Sequence, residues 1–329
     1  MLLLVIYYII NVLLIIINGR QIMAVKISFT NYKGGTTKTT SSTNLAGGLA
    51  KKYPNAKILL VEADGQGNTS STFNVDSSKI ENTMYDVFLK DTKPEDIITN
   101  VYAGHDSANI DILPANSDMD FVDFDFMLQN NAHRDAAIFE FLQKNPHLLN
   151  YNTEDFLVKL ESVELDLKGK DYFNLLAGKF DEIDKMYDVI IFDTPPEMKA
   201  ITSSTLAIVD HVIVPYELEK YSTEGIVRLL KRIYSIREEY NPNLNIAGLL
   251  PVKFDSRTKL QNQVLNEVLQ FSLNNKLYHF NSRIPHSIRF ATASATGLPA
   301  TIVDKSDSKF TGQYYKLIDE LIENEIIDL

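Results

Sequence analysis

Lys33-Gly34-Gly35-Thr36-Thr37-Lys38-Thr39-Thr40 follows directly on the apolar run Ala24-Val25-Lys26-Ile27-Ser28-Phe29-Thr30. A β-branched run, a glycine turn and then Lys-Thr opening a helical stretch is the layout of a phosphate-cradling loop. Glycines let backbone N–H groups close on phosphate oxygens, and the helix that follows offers its positive end to the anion. The string G-x-x-x-x-G-K-[ST] is not met, because Tyr32 and Thr37 occupy its two glycine positions. A second lysine, Lys33, precedes Lys38 by five residues. Two lysines around one loop point to a nucleotide site in which one cation serves its own phosphates and the other serves something else.

The run Lys-Gly-Gly-x-x-Lys-Thr-Thr resembles the deviant Walker A of the ParA/MinD ATPases. Ile58-Leu59-Leu60-Val61-Glu62-Ala63-Asp64-Gly65-Gln66-Gly67-Asn68 is similar to that family's second-strand motif. Tyr187-Asp188-Val189-Ile190-Ile191-Phe192-Asp193-Thr194-Pro195-Pro196 is similar to its Walker B strand. Phe254-Asp255-Ser256-Arg257-Thr258 and Ile284-Pro285-His286-Ser287-Ile288-Arg289 resemble segments of the ParA (Soj-like) partition branch. The matches run in the family's order from about residue 25 to 303. A lone phosphate loop is a weak signal, but ordered motifs along most of a chain are a strong one.

Composition is that of a globular chain: 329 residues, 45% hydrophobic and 23% charged. With no cysteine, disulfides, thiolate zinc sites and iron–sulfur ligation are excluded together. The net charge of −11 argues at first against a nucleic-acid partner. Yet residues 220–290 hold eleven Lys/Arg against five Asp/Glu, so an acidic body carries one basic segment. Ordinary fluctuation of charge on helix faces is the plain alternative.

Residues 1–22 form an apolar leader, interrupted by Asn11 and followed by Arg20. They lack the basic flank and cleavage site of a secretory signal. Met23 lies immediately before the first expected strand, so the leader reads as a mis-assigned start and 23–329 as the domain. A genuine N-terminal anchor is the alternative, and only then is a membrane expected as a partner.

Short strands, apolar throughout and alternating with helices, predict a doubly wound, mostly parallel α/β sheet covered on both faces. Strands are expected at 58–61, 110–114, 189–192, 207–214 and 247–252. Helices are expected at 41–52, 83–89, 94–98, 222–240, 260–271 and 312–326. Residues 117–185 read as an enlarged helical insert with fifteen acidic and seven basic residues. It opens with a Phe/Asp stripe at 120–126 and carries helical stretches at 136–143 and 153–160. It is expected to pack on the sheet edge, or else to dock a partner.

The resemblance assigns roles. It implies that Lys38 pairs with the β- and γ-phosphates, and that Gly34, Gly35, Thr36, Thr37 and Thr40 supply donors to them. Thr39 would ligate Mg²⁺ through its hydroxyl, and Asp193 would hold the metal through water. Lys33 would be the signature lysine that reaches the partner subunit's phosphates in an ATP-bound homodimer. Asp64 would position the attacking water. Pro285 would line the adenine, and Arg257 and Arg289 would lie on a DNA-contacting face. Thr37 replaces a family glycine, Glu62 an aspartate and Gly65 a proline; Ser287 stands where the adenine segment has asparagine.

These features imply a cytoplasmic, nucleoid-associated ATP hydrolase of plasmid or chromosome partition, dependent on ATP and Mg²⁺. Its partners would be a second copy of itself, non-specific DNA and a ParB-like protein that stimulates hydrolysis. The alternative is a MinD-like membrane-cycling or cargo-positioning ATPase. Membrane cycling by a C-terminal helix is disfavoured, because the stretch from Leu317 to Leu329 is acidic and repelled by anionic lipid.

Overall fold

The apolar runs become the buried strands of a single sheet. The computed structural model describes residues 23–102, 109–146 and 171–329. Among these, the strands are β1 (Val25–Phe29), β2 (Lys57–Glu62), β3 (Thr99–Tyr102), β4 (Asn109–Leu113), β5 (Val189–Asp193), β6 (His211–Glu217) and β7 (Asn245–Val252). Their order is β3-β4-β2-β5-β1-β6-β7, and only the β3–β4 pair is antiparallel. The helices are α1 (Lys38–Lys52), α2 (Asn68–Thr72), α3 (Met84–Leu89), α4 (Val122–Lys144) and α5 (Ala200–Leu206). They continue as α6 (Ser222–Glu239), α7 (Lys259–Asn274), α8 (Ile288–Ser294), α9 (Ala300–Val303) and α10 (Gly312–Glu323).

Successive side chains of a strand point to opposite faces. Leu59, Val61, Ile190 and Phe192 therefore meet α3, α5, α6 and α7 on one face. Ile58, Leu60, Val189 and Ile191 meet α1, α8 and α10 on the other. Both faces are buried, which is why the strands carry no polar alternation. Glycine permits a close approach here: a Cβ on Gly48 of α1 would stand 2.8 Å from Ile318 Cδ1 of α10. Asn44 further ties α1 to α9, accepting from Thr301 N at 3.0 Å and from Thr301 Oγ1 at 2.9 Å through its backbone carbonyl. The loop at the head of α1 is thus mounted on a fixed helix.

The doubly wound sheet is as expected, with differences at its margins. β6 begins at His211 rather than at 207, because residues 207–209 extend the turn after α5 with N–H groups bonded back to Ser203 and Thr205. β3 is a half-exposed edge strand whose pattern lacks alternation. The stretch from Pro94 to Ile97 closes as a 3₁₀ turn. Among its described residues the insert contributes one long helix, α4, of which only Val122 and Phe126 are buried. Its Phe/Asp stripe divides by function: Asp123 Oδ1 accepts from Ala200 N at 3.0 Å and Asp125 Oδ2 from Tyr85 OH at 2.7 Å, while Phe121 and Phe124 are exposed. The helix expected at 153–160 and the leader 1–22 lie outside the described residues. Among the described residues no helix is long and apolar enough to cross a membrane.

Candidate active site

In an open parallel sheet, the carboxyl ends of strands on either side of a change in winding form the ligand crevice. Here that crevice lies at β1, flanked by β5 and β6. The chain leaving β1 is held on the sheet: Thr30 N donates to Ile213 O at 3.1 Å and Asn31 Nδ2 to Pro215 O at 2.6 Å. The loop then folds on itself, with Lys33 N donating to Asn31 Oδ1 at 3.0 Å and Thr36 Oγ1 to Lys33 O at 3.0 Å. Gly35 (φ 79°) and Thr37 (φ 58°) both adopt the left-handed region before α1 starts at Lys38. The family glycine fits that position freely, whereas a threonine there is strained. Residues 34–40 line a cavity of about 620 Å³ together with Asp64, Pro196, Lys253 and α8. That volume suits a nucleotide-sized ligand.

Lys38 is buried, and among the described residues its Nζ reaches only Asn31 O, at 3.4 Å. Burial pushes its pKa down, against the opposing charges of Asp193 and Asp64. An ammonium so desolvated gains most from an anion in the cavity. Asp193 is fully buried at the end of β5, and its pKa rises to about 7. Burial is the main cause; hydrogen bonds from Thr39 and Thr69 lower it, while the charges of Asp64 and Glu62 raise it further. Thr69 Oγ1 donates to Asp193 Oδ2 at 3.0 Å, but Asp193 Oδ1 has no hydrogen-bond partner among the described residues. An unpartnered buried carboxylate oxygen beside the Thr39 hydroxyl is a hard-oxygen donor set and fits Mg²⁺. Among the described residues no cluster of three His, Asp or Glu side chains encloses a metal, so phosphate oxygens and water would complete the coordination.

Glu62 and Asp64 part company at the end of β2. Glu62 is buried and accepts from Thr69 N at 2.7 Å, Ser70 N at 3.0 Å, Ala115 N at 3.1 Å and the Ser70 hydroxyl. Burial raises its pKa and these bonds oppose the rise. Its longer side chain fastens α2 and the segment after β4 to the end of β2. Asp64 lines the cavity, accepting from Gln66 N at 3.1 Å. Gly65 follows because a Cβ there would meet Asp120 Oδ1 at 2.9 Å and Asn116 O at 3.3 Å. The start of the insert thus occupies the space that a side chain at 65 would need.

Two curated relatives align along nearly their whole length with this chain. A ParA family protein of Mycoplasma genitalium is 27% identical, covering 90% of this chain and 96% of its own. The sporulation initiation inhibitor protein Soj of Bacillus subtilis is 29% identical, covering 91% and 98%. The AAA domain family matches at residues 24–151 and 143–246, which takes in the loop, the second strand and the β5 carboxylate. The chain belongs to the ParA family. Among solved structures, cobyrinic acid a,c-diamide synthase of Mycobacterium smegmatis, with a bound ATP analog and magnesium, superposes with a TM-score of 0.66 at 22% identity, covering 92% of this chain and 95% of its own. That likeness shows the fold, a mostly parallel sheet with helices on both faces.

In this ParA-family chain the first loop lysine is folded back. Lys33 Nζ meets Glu219 Oε2 at 2.8 Å, from the turn after β6, and Glu217 Oε2 at 3.6 Å, from the strand's last residue. The hydrogen bond to Glu219 leads in raising its pKa. Arg257 and Arg289 are exposed and each already holds a carboxylate. Arg257 grips Asp255 through Nε (2.9 Å) and Nη2 (2.7 Å), which holds that carboxyl down at about 2. Arg289 Nη2 lies 3.1 Å from Asp304 Oδ1, with its guanidinium 5.6 Å from the Phe310 ring centroid. Pro285 does not line the loop cavity. It bridges to Phe254 and lines a separate cleft of about 760 Å³ with Arg257, Arg283, His286, Lys309 and Lys316. Glu217, Glu219 and Lys253 also stand at the phosphate loop, outside every motif of the sequence. Charged residues at the C-terminal ends of buried strands were the available signal.

Proposed function

We propose that the chain is a Mg²⁺-dependent ATP hydrolase of DNA partition that works as an ATP-bound homodimer. The observation carrying this reading is the cavity bounded by residues 34–40, with buried Lys38, the open oxygen of Asp193 and half-exposed Asp64 around it. Loop N–H groups and Lys38 bind the triphosphate, Thr39 and Asp193 hold the metal, and Asp64 orients the attacking water. Bound Mg²⁺ supplies charge neutralisation to the phosphates. Lys33 leaves Glu219 and reaches the phosphates of the partner subunit, so that hydrolysis and dimerisation are one event. In the ATP form, Arg257 and Arg289 contact DNA phosphates without reading sequence. A ParB-like protein stimulates hydrolysis and releases the DNA, and the chain works in the cytoplasm on the nucleoid. A C-terminal membrane anchor gains no support, because Tyr314, Leu317, Ile318 and Leu321 of α10 are buried in the core.

Phosphate release and sedimentation with Mg·ATP test the reading. Lys38→Ala should lose all nucleotide response, whereas Asp64→Ala should bind ATP, accumulate dimer and release no phosphate. Wild-type phosphate release from Asp64→Ala removes it from the catalytic role. Unchanged turnover in excess chelator removes the metal.

A further inference from the structure

Glu217 closes β6 and Lys253 follows β7, and Glu217 is in register with Val252 on the neighbouring strand. Lys253 Nζ lies 3.0 Å from Glu217 Oε1. The backbone at Lys253 is left-handed (φ 54°), the region an L side chain seldom enters. From there the side chain reaches the phosphate loop, with Nζ 3.6 Å from where a Cβ on Gly35 would stand. Lys253 lines the same cavity as residues 34–40. Glu217 also faces Lys33, at 3.6 Å, so one carboxylate serves two lysines at the β1 side of the loop.

We propose that Lys253 is a third phosphate-binding lysine of this site, held on Glu217 without nucleotide and engaging the terminal phosphate of a nucleoside triphosphate. The proposal rests on the reading of the cavity as an ATP site. An ammonium carries three donors, so Lys253 can keep Glu217 while it takes a phosphate oxygen. Its contact is single and part-exposed, which leaves the head free to turn toward a stronger anion. Lys33, held on Glu219 and Glu217 of its own chain, is the lysine proposed above for the second subunit. Lys253 therefore adds a second positive charge of the same chain, beside Lys38, at the terminal phosphate.

Calorimetric titration with Mg²⁺ and either a non-hydrolysable ATP analogue or ADP separates the possibilities, using wild type, Lys38→Ala, Lys253→Met, Lys253→Arg and Glu217→Gln. Lys253→Met should weaken the triphosphate analogue roughly tenfold and ADP by less than about twofold, the loss of one charge-assisted bond. Lys253→Arg should restore most of the difference. Glu217→Gln should bind the triphosphate at least as tightly as wild type. A merely structural ion pair would instead weaken both nucleotides alike in both variants, and that result overturns the proposal. Should Lys253→Met fail to fold, Glu217→Gln decides: weaker triphosphate binding refutes it. If wild type and Lys38→Ala bind the analogue equally, the ATP-site reading itself fails. If Lys38→Ala abolishes binding and Lys253→Met leaves the triphosphate-to-ADP ratio unchanged, only the role of Lys253 fails.

Discussion

Lys33 Nζ stands 2.8 Å from Glu219 Oε2 of its own chain. A lysine with a proposed role in the partner's site is thereby occupied at home. Exposed ion pairs contribute about 0–1 kcal/mol, so the contact is weak enough to break and strong enough to bias. Glu219→Gln removes the main competitor for the ammonium. The variant should dimerise at an ATP concentration about two- to fivefold lower than wild type, read by sedimentation velocity. An unchanged or higher midpoint would show that Glu219 does not restrain Lys33.

Thr37 offers a test of strain. Its φ of 58° is the left-handed conformation, and its hydroxyl has only a 3.4 Å contact with Ser41 Oγ to hold it there. For a β-branched residue this costs about 1–2 kcal/mol, part of which glycine gives back through its freer unfolded chain. Thr37→Gly should raise stability by about 0.5–1 kcal/mol in urea titration without nucleotide. A lower urea midpoint with unchanged slope would mean that the threonine is relaxed where it stands.

The sheet was legible because both of its faces are buried, leaving unbroken apolar strands such as Ile58–Val61 and Val189–Phe192. The loop was legible because phosphate chemistry restricts residue types at residues 33–40. What escaped is what sequence periodicity does not encode. α2, α5, α8 and α9 have between four and seven residues, too few to display a helical repeat. Glu62 looked like a family carboxylate one methylene too long, and only the fold shows that length spent on Thr69, Ser70 and Ala115. The carboxylates beside Lys33 come from the last residue of β6 and from the turn after it, some 184 and 186 residues further along the chain, so no local pattern links them. Arg257 stands two residues from Asp255, and that pairing was open to a local reading.

Glu320 of α10 predicts a pH dependence. Its buried carboxylate accepts from Asn281 N and Ser282 N, each at 2.7 Å, from Tyr278 OH at 2.9 Å and from Ser282 Oγ at 2.5 Å. Burial is the largest influence and raises the pKa, but these bonds together outweigh it and the pKa is lowered. A folded pKa below the unfolded value gives stability that is complete above about 4.3 and is lost as pH falls through the folded pKa. Glu320→Gln should therefore destabilise by about 1–3 kcal/mol at pH 7 and lose less stability than wild type on acidification below about 4.3. Denaturant midpoints at neutral and acid pH measure both. Parallel losses in the two proteins would exclude Glu320 as the group that titrates.

DNA binding, proposed to depend on Arg257 and Arg289, must contend with the carboxylates that each already holds. Removing Arg257 leaves Asp255 as a bare charge 88%-exposed Arg257 formerly covered, in a cleft that also contains Arg283, Lys309 and Lys316. Arg257→Ala therefore changes two charges toward DNA, one lost and one uncovered. The double variant Arg257→Ala, Arg289→Ala should weaken binding in the ATP state equally on all sequences and flatten the salt slope by roughly one unit per lost contact. Adding Asp255→Asn should recover affinity at low salt without restoring the slope, because repulsion is removed while no phosphate contact is regained. ATP turnover without DNA should survive, since neither arginine lines the loop cavity. Fluorescence anisotropy across a salt titration, on two unrelated duplexes, reads every one of these outcomes. Binding by the double variant as tight as wild type at every salt concentration would move the DNA surface elsewhere. Full-strength binding with ADP would remove the ATP dimer from the explanation, because a monomer could then supply all the phosphate contacts.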